Sequence, residues 1–333
     1  MKKNRKLTGD LITLALTVVL YTVIGTMLYT GNMTRQLSNM LIPISVYIVL
    51  AVSLNLVVGL LGELSLGHAG FMSVGLFAGC LVSIALVGTL PLWARLPLSM
   101  IIGGLTAAVF GLIVGLPALR LKGDYLAIVT LACGEIIKSI ITNLDFTGGA
   151  LGLNTMPIYS SVKQLLPYGA VLVFLTVIVM MNLKRSKHGR AIMAIRDNRI
   201  AAESIGINVT SFKLAVFIIA AFFAGAAGTL YGHFFANVKA ASFDYNMSIE
   251  ILVIVVLGGM GSIPGSIIAA IVLQVLPEAL RGLADYRMLL YAIVLIIVML
   301  TTNSPKARAL LDAAKEKLAL LFGRGAAAKE GEQ

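Results

Sequence analysis

Apolar blocks long enough to cross a lipid bilayer recur along this chain, and they rule out an ordinary soluble core. Leu11 to Tyr29 contains no charged residue, and neither do Asn39 to Gly62 or Leu96 to Leu119. Leu64 to Ala94 is interrupted only by His68, and Asp124 to Thr142 only by Glu135 and Lys138 within the block. Leu165 to Leu183 and Leu214 to Ala236 follow the same pattern, the latter holding His233. At about 1.5 Å per residue, roughly 20 apolar residues in a helix cross the hydrocarbon layer. Only 12% of the 333 residues are charged, against about 25% in soluble domains. The fold class is therefore all-α: a polytopic membrane helical bundle.

Ile251 to Pro277 is also uncharged, but its centre is Gly258-Gly-Met-Gly-Ser-Ile-Pro-Gly265, a run that breaks helices. Read as one span it gives nine crossings in all; read as two short spans it gives ten. With ten, both termini lie inside and most of the 26 Lys and Arg residues fall in inner segments, as the positive-inside rule requires. About ten transmembrane helices are expected. The organisation is a cytoplasmic N-terminus (1–10), six spans (11–183), a basic cytoplasmic loop (184–213), four spans (214–303) and a cytoplasmic tail (304–333). Within the tail, Pro305 to Phe322 reads as an amphipathic helix lying along the membrane face.

The net charge of +11 sits in the short segments between spans and serves topology, not nucleic-acid binding. Cys80 and Cys133 have no CxxC spacing and read as small buried side chains. No metal-ligating or nucleophilic constellation occurs, and Gly-Lys is absent from the chain. A phosphate-cradling loop of the G-x-x-x-x-G-K-[ST] kind is thus excluded, so any ATP-hydrolysing site belongs to another chain. No catalytic residue, cofactor or metal is expected.

The polar segment 184–213 carries seven basic residues, including Lys184, Arg190, Arg196, Arg199 and Lys213, opposed only by Asp197 and Glu203. Its second half reads as a short helix, capped at the start by Asp197 or Asn198 and ended by Gly206 in a left-handed conformation. So short a helix is marginal alone. Ala201 and Ala202 make a slim stub that fits a partner's groove, with Arg196, Arg199 and Glu203 able to make polar contacts around it. We expect the partner to be a separate ATPase.

Polar residues inside spans mark candidates for a translocation path. Glu135 and Lys138 are three apart and can pair on one helix face near an outer end. Glu63 and His68 flank Gly62 and Gly67; they read as a turn wetted by the cytosol or as a polar gate. Asn55 reads as an interhelical hydrogen-bonding group or a path residue, His233 as a satisfied interior histidine, and Glu250 as a helix N-terminal cap at the outer interface. The stretches Val57–Gly70 and Val255–Gly265 share an apolar run, spaced glycines and a second apolar run. Both should interrupt their spans, and such interruptions often build transporter sites. Gly258 and Gly261 join the path candidates on that ground.

Several stretches together resemble the signature of a known family. They are Ser53-Leu-Asn-Leu-Val-Val-Gly-Leu-Leu-Gly-Glu-Leu-Ser-Leu-Gly-His-Ala-Gly-Phe-Met-Ser-Val-Gly75, Gly123 to Glu135, Thr147 to Leu153, Gly189 to Gly206, and Val256 to Gly265. They resemble permease subunits of branched-chain amino-acid ABC transporters, of the LivM type. The resemblance covers roughly residues 40 to 305. It implies an ABC importer permease architecture in the cell membrane, a second permease subunit of the LivH type, two ATPase subunits and an extracytoplasmic solute-binding protein. It places the coupling helix within residues 190–206, with Arg190, Arg196, Arg199, Ala201, Ala202, Glu203 and Gly206, and leucine, isoleucine and valine as solutes. Related permeases for urea or short amides look similar. An ion-coupled secondary transporter is the alternative from a different class, and its mid-span acids are few here.

Overall fold

The computed structural model describes residues 2–31, 33–121, 123–279 and 296. The chain divides into a compact unit ending at Val275 and a second beginning at Leu276. The first unit contains the helical bundle and its polar connections. The expected last span (Met288 to Asn303) and the amphipathic tail lie outside the described residues.

Helix α1 (Lys2–Tyr29) starts at the second residue, so no break separates an N-terminal segment 1–10 from the first span. Helix α2 (Arg35–Asn55) continues into a π-helical turn, Leu56–Leu61. Then come α3 (His68–Ala85), α4 (Leu92–Ala118), α5 (Asp124–Asn143) and α6 (Val162–Arg185). Two short helices, α7 (Lys187–Asp197) and α8 (Arg199–Ser204), precede α9 (Val209–Phe234). A hairpin of α10 (Tyr245–Gly258) and α11 (Ile263–Ala279) completes the described elements. Among the described residues, seven helical segments are long and apolar enough to cross a membrane, and Thr17–Tyr29 and Ile263–Glu278 are shorter apolar helices. The block Ile251 to Pro277 is broken into two helices at Gly259–Ser262, because Gly259 and Gly261 adopt φ of 88° and 81°.

The core is built around α9, whose small residues Ala220, Ala221, Ala224, Ala226 and Ala227 are buried. Lipid tails are as apolar as leucine, so helices associate through close packing, and small residues permit it. Gly75 of α3 is where this matters most. A Cβ there would stand 2.1 Å from the Cα of Gly225. On the third side, a Cβ on Gly103 of α4 would stand 2.5 Å from the Gly75 carbonyl oxygen. Thr229 Oγ1 donates to that same carbonyl at 2.9 Å, which locks α9 to α3.

The two ends of the unit differ in character. At one end the polar segment after α5 is tied to the end of α9 and the connection beyond it: β1 (Leu153–Asn154) pairs antiparallel with β2 (Asn237–Val238), Thr155 N–H donates to Ala236 O at 3.0 Å, and Ser160 N–H to His233 O at 3.0 Å. We call this the loop end. The other end gathers the basic segment 184–213, and we call it the basic end.

Candidate functional site

Two spans are interrupted, and the interruptions touch. After the π-helical turn, Gly62 (φ 78°) ends the helix, and Glu63–Gly67 is non-helical until α3 begins. Non-helical backbone at membrane depth needs partners from the protein. Thr130 Oγ1 of α5 accepts from Leu66 N–H at 3.0 Å, and Ser248 Oγ of α10 accepts from Ala69 N–H at 3.2 Å. The second interruption, between α10 and α11, lies against the π-helical turn: a Cβ on Gly59 would stand 2.1 Å from Gly261 N.

Asn55 joins the two. Its Oδ1 accepts from Gly261 N–H at 2.7 Å, and its Nδ2 donates to Ser262 O at 3.1 Å and Ser266 Oγ at 2.8 Å. One buried side chain therefore makes three hydrogen bonds to the break, and one of them satisfies the Gly261 N–H. Gly258 is the other close contact of the hairpin, since a Cβ there would overlap Gly265 and Ser266 at 2.6 Å.

Three basic residues of the polar segment reach the same place. Arg196 lies over Gly62 and donates from a guanidinium nitrogen to Gly59 O at 3.1 Å. Lys184 Nζ donates to Gly261 O at 2.6 Å. Lys213, almost wholly buried, forms an ion pair with Glu63. Glu63 is half-buried beside the exposed Gly62, with its charge met by the cation from α9. His68 is buried too, its Nε2 2.9 Å from Ser53 Oγ.

The short helices are set by their caps. Ser186 accepts from Gly189 N–H at 3.0 Å to start α7. Asn198, one of the two expected caps, accepts from Ala201 N–H at 3.1 Å to start α8. Gly206 (φ 86°) ends α8: its N–H donates to Glu203 O at 3.0 Å and Ile207 N–H donates to Ala202 O at 3.1 Å, a paired closure of the helix C-terminus. Ala202 is buried under the helix, whereas Ile200 and Ile205 are 80% and 75% exposed. Arg199 pairs with Glu203 at 2.9 Å, Arg196 pairs with Asp197 at 2.9 Å, and Arg190 donates to Arg185 O at 3.3 Å. The polar groups expected to ring the stub are thus engaged within this chain, and two isoleucines stand out instead. Reading the segment for charge misses them. The available signal was an apolar residue at each end of a helix too short to bury both.

At the loop end, Glu135 forms an ion pair with Lys138 and also accepts from Tyr245 N–H at 3.0 Å. His233 is fully buried, 2.8 Å from Ser83 Oγ through Nε2 and 2.9 Å from Thr229 O through Nδ1. Glu250 is not a cap. Asp244 caps α10 by accepting from Met247 N–H at 3.2 Å, which leaves Glu250 more than a turn inside the helix. There it accepts from Tyr47 O–H at 3.1 Å and Gln274 Nε2–H at 3.2 Å. Cys80 is buried and Cys133 half-buried, both as free thiols.

Comparison with known proteins agrees with this architecture. The family described as "Branched-chain amino acid transport system / permease component" matches residues 36–299. The high-affinity branched-chain amino acid transport system permease protein LivM of Salmonella typhimurium is 36% identical over 319 residues, covering 86% of this chain and 72% of the relative. LivM of Escherichia coli K12 is likewise 36% identical over 319 residues, with the same coverage. The permease LivH of Salmonella typhimurium is 23% identical over 276 residues, covering 77% of this chain and 89% of that one. No solved structure matches significantly. The chain is a multi-pass membrane transport subunit and belongs to the family of permease components of branched-chain amino acid transport systems.

Proposed function

We propose that this chain is one of two permease subunits in an ATP-driven importer of branched-chain amino acids. LivM relatives at 36% identity and a more distant LivH relative support a system with two permease types. The partners are a LivH-type permease, two ATPase subunits and an extracytoplasmic solute-binding protein. In this reading the bundle has ten spans, the basic end faces the cytoplasm, and both termini lie there.

The construction of segment 184–213 is the chief support. Its α8 helix is capped at both ends and presents Ile200 and Ile205 outward. Nearby side chains of the same segment bind both span interruptions, through Arg196 to Gly59, Lys213 to Glu63 and Lys184 to Gly261. A partner that displaces α8 therefore pulls on the two places where the bundle is least regular. Where such an element has two arrangements, a small displacement is converted into opening or closing. The ATPase groove takes the two isoleucines, and α7 transmits the motion. Co-expression with the LivH-type and ATPase subunits tests this: a stable complex whose ATP hydrolysis drives leucine uptake is the expected result. Uptake by this chain without any ATPase, driven by an ion gradient, would replace it with the secondary-transporter reading.

A further inference from the structure

Glu250 is a carboxylate within an apolar helix, and among the described residues no basic side chain forms an ion pair with it. Its two hydrogen-bond partners, Tyr47 and Gln274, are neutral donors. An ionised carboxylate accepts at about four lone-pair sites, so two neutral donors leave both capacity and charge unmatched. Acids placed this way inside membrane segments are costly and mark solute or ion pathways. Two other acids of the bundle are each paired with a cation, Glu63 with Lys213 and Glu135 with Lys138.

The unmatched carboxylate lines a cavity of about 260 Å³, together with Tyr47, Tyr231, Phe243, Asp244 and Met247. That is below the roughly 300–1,000 Å³ of sites for drug-sized ligands, which suits a small solute. The lining has two chemistries. Glu250 and the Tyr47 hydroxyl offer oxygen. Tyr231 and Phe243, edge to face with ring centroids 6.3 Å apart, offer aromatic surface, and Met247 adds a thioether. Asp244, also on the lining, caps α10 and is held by Met247 N–H and by Asn246 Nδ2 at 2.7 Å, so Glu250 is the lining carboxylate that stands within the helix itself. The cavity lies towards the loop end, where the connection from α9 enters α10.

We propose that this cavity is a subsite for the primary ammonium group of an amino-acid solute, with Glu250 as its counter-ion and the aromatic residues covering its carbon skeleton. The assignment rests on the importer reading above and deepens it: an amine-bearing solute fits, whereas urea and short amides bring no cation to neutralise the acid. Cation–aromatic attraction from the Tyr231 ring adds to the carboxylate's pull.

The test uses the transporter assembled with its partner subunits, as wild type, Glu250→Gln and Glu250→Asp. Gln retains an acceptor for Tyr47 O–H while losing the charge; Asp retains the charge on a shorter arm. Two readouts are taken: ATP-dependent L-leucine uptake in proteoliposomes, and the thermal shift of the detergent-purified assembly with isoamylamine or with 4-methylpentanoate. The expected result is that Glu250→Gln assembles normally and loses about tenfold or more of its uptake, the size of a lost charge-assisted hydrogen bond. Glu250→Asp recovers part of it. Isoamylamine stabilises wild type but not Glu250→Gln, and 4-methylpentanoate stabilises neither. Uptake by Glu250→Gln within about twofold of wild type, an assembly defect in that variant, or equal shifts with the amine and the acid would each overturn the proposal. Absence of leucine uptake by wild type would overturn the importer reading instead, and the isoamylamine shift would still decide the cavity.

Discussion

Arg196 donates to the carbonyl of Gly59 at 3.1 Å across 137 residues of sequence, joining the basic segment to the π-helical turn of α2. That carbonyl belongs to a widened helical turn, and such turns mark functional positions in many helices. Arg196→Ala removes the link and leaves α7 and α8 capped as before. The expected outcome is normal assembly and ATP hydrolysis with leucine uptake reduced, measured as the ratio of solute moved to ATP consumed in proteoliposomes.

The Lys213–Glu63 pair should behave as a buried ion pair. Removing one member strands the other charge, at a cost of about 3–5 kcal/mol, whereas replacing both with apolar residues of similar volume is often neutral. Lys213→Met alone should therefore lower the thermal stability of the purified chain more than Lys213→Met with Glu63→Leu. A double-mutant cycle on unfolding in detergent reads the coupling directly.

Asn55 offers a different kind of test because it holds backbone groups. Asn55→Leu leaves Gly261 N–H without its partner, whereas Ser262 O keeps Ser266 N–H; one buried unpaired group costs about 1–3 kcal/mol. Proteolysis at Gly259–Ser262 should increase in that variant and not in one altered on the exposed surface of α4. Gly59→Ala should be worse, since the added Cβ falls 2.0 Å from Asn55 Oδ1 and 2.1 Å from Gly261 N.

The glycine contact between α3, α4 and α9 predicts a size limit at Gly75. Over-packing a close contact typically costs about 1–3 kcal/mol and sometimes more. Gly75→Ala should lower the unfolding temperature clearly, and Gly75→Leu should prevent recovery of folded protein. Gly88, whose Cβ would meet nothing within 4 Å, has φ of 92°, so Gly88→Asn is the control that tests backbone strain without crowding.

The spans were legible because lipid imposes one rule on every residue they expose, and uncharged blocks record it. The hairpin break was legible for a similarly local reason, the run Gly258 to Gly265, and the ends of α8 were legible in Asn198 and Gly206. Glu250 shows where local reading fails. It stands at the edge of an uncharged block, yet the helix starts at Asp244, because a cap is chosen by which side chain can reach the first N–H groups and not by where charge stops. The destinations of Lys184, Arg196 and Lys213 were illegible for another reason. Each meets a partner some 77 to 150 residues away, and nothing in a polar segment states which distant carbonyl or carboxylate it will find. Ile200 and Ile205 were hidden by the charges around them.

Coupling to an ATPase through α8 requires segment 184–213 to sit on the cytoplasmic side. Ile200, 80% exposed on that helix, is the residue to probe. In a Cys133→Ser background, Ile200→Cys is treated with a membrane-impermeant maleimide in intact and in permeabilised cells, with and without the ATPase subunits. The expected result is no labelling in intact cells, labelling after permeabilisation, and protection when the ATPases are present. Labelling in intact cells would contradict the proposed coupling, because a helix on the outer face could not be driven by a cytoplasmic motor.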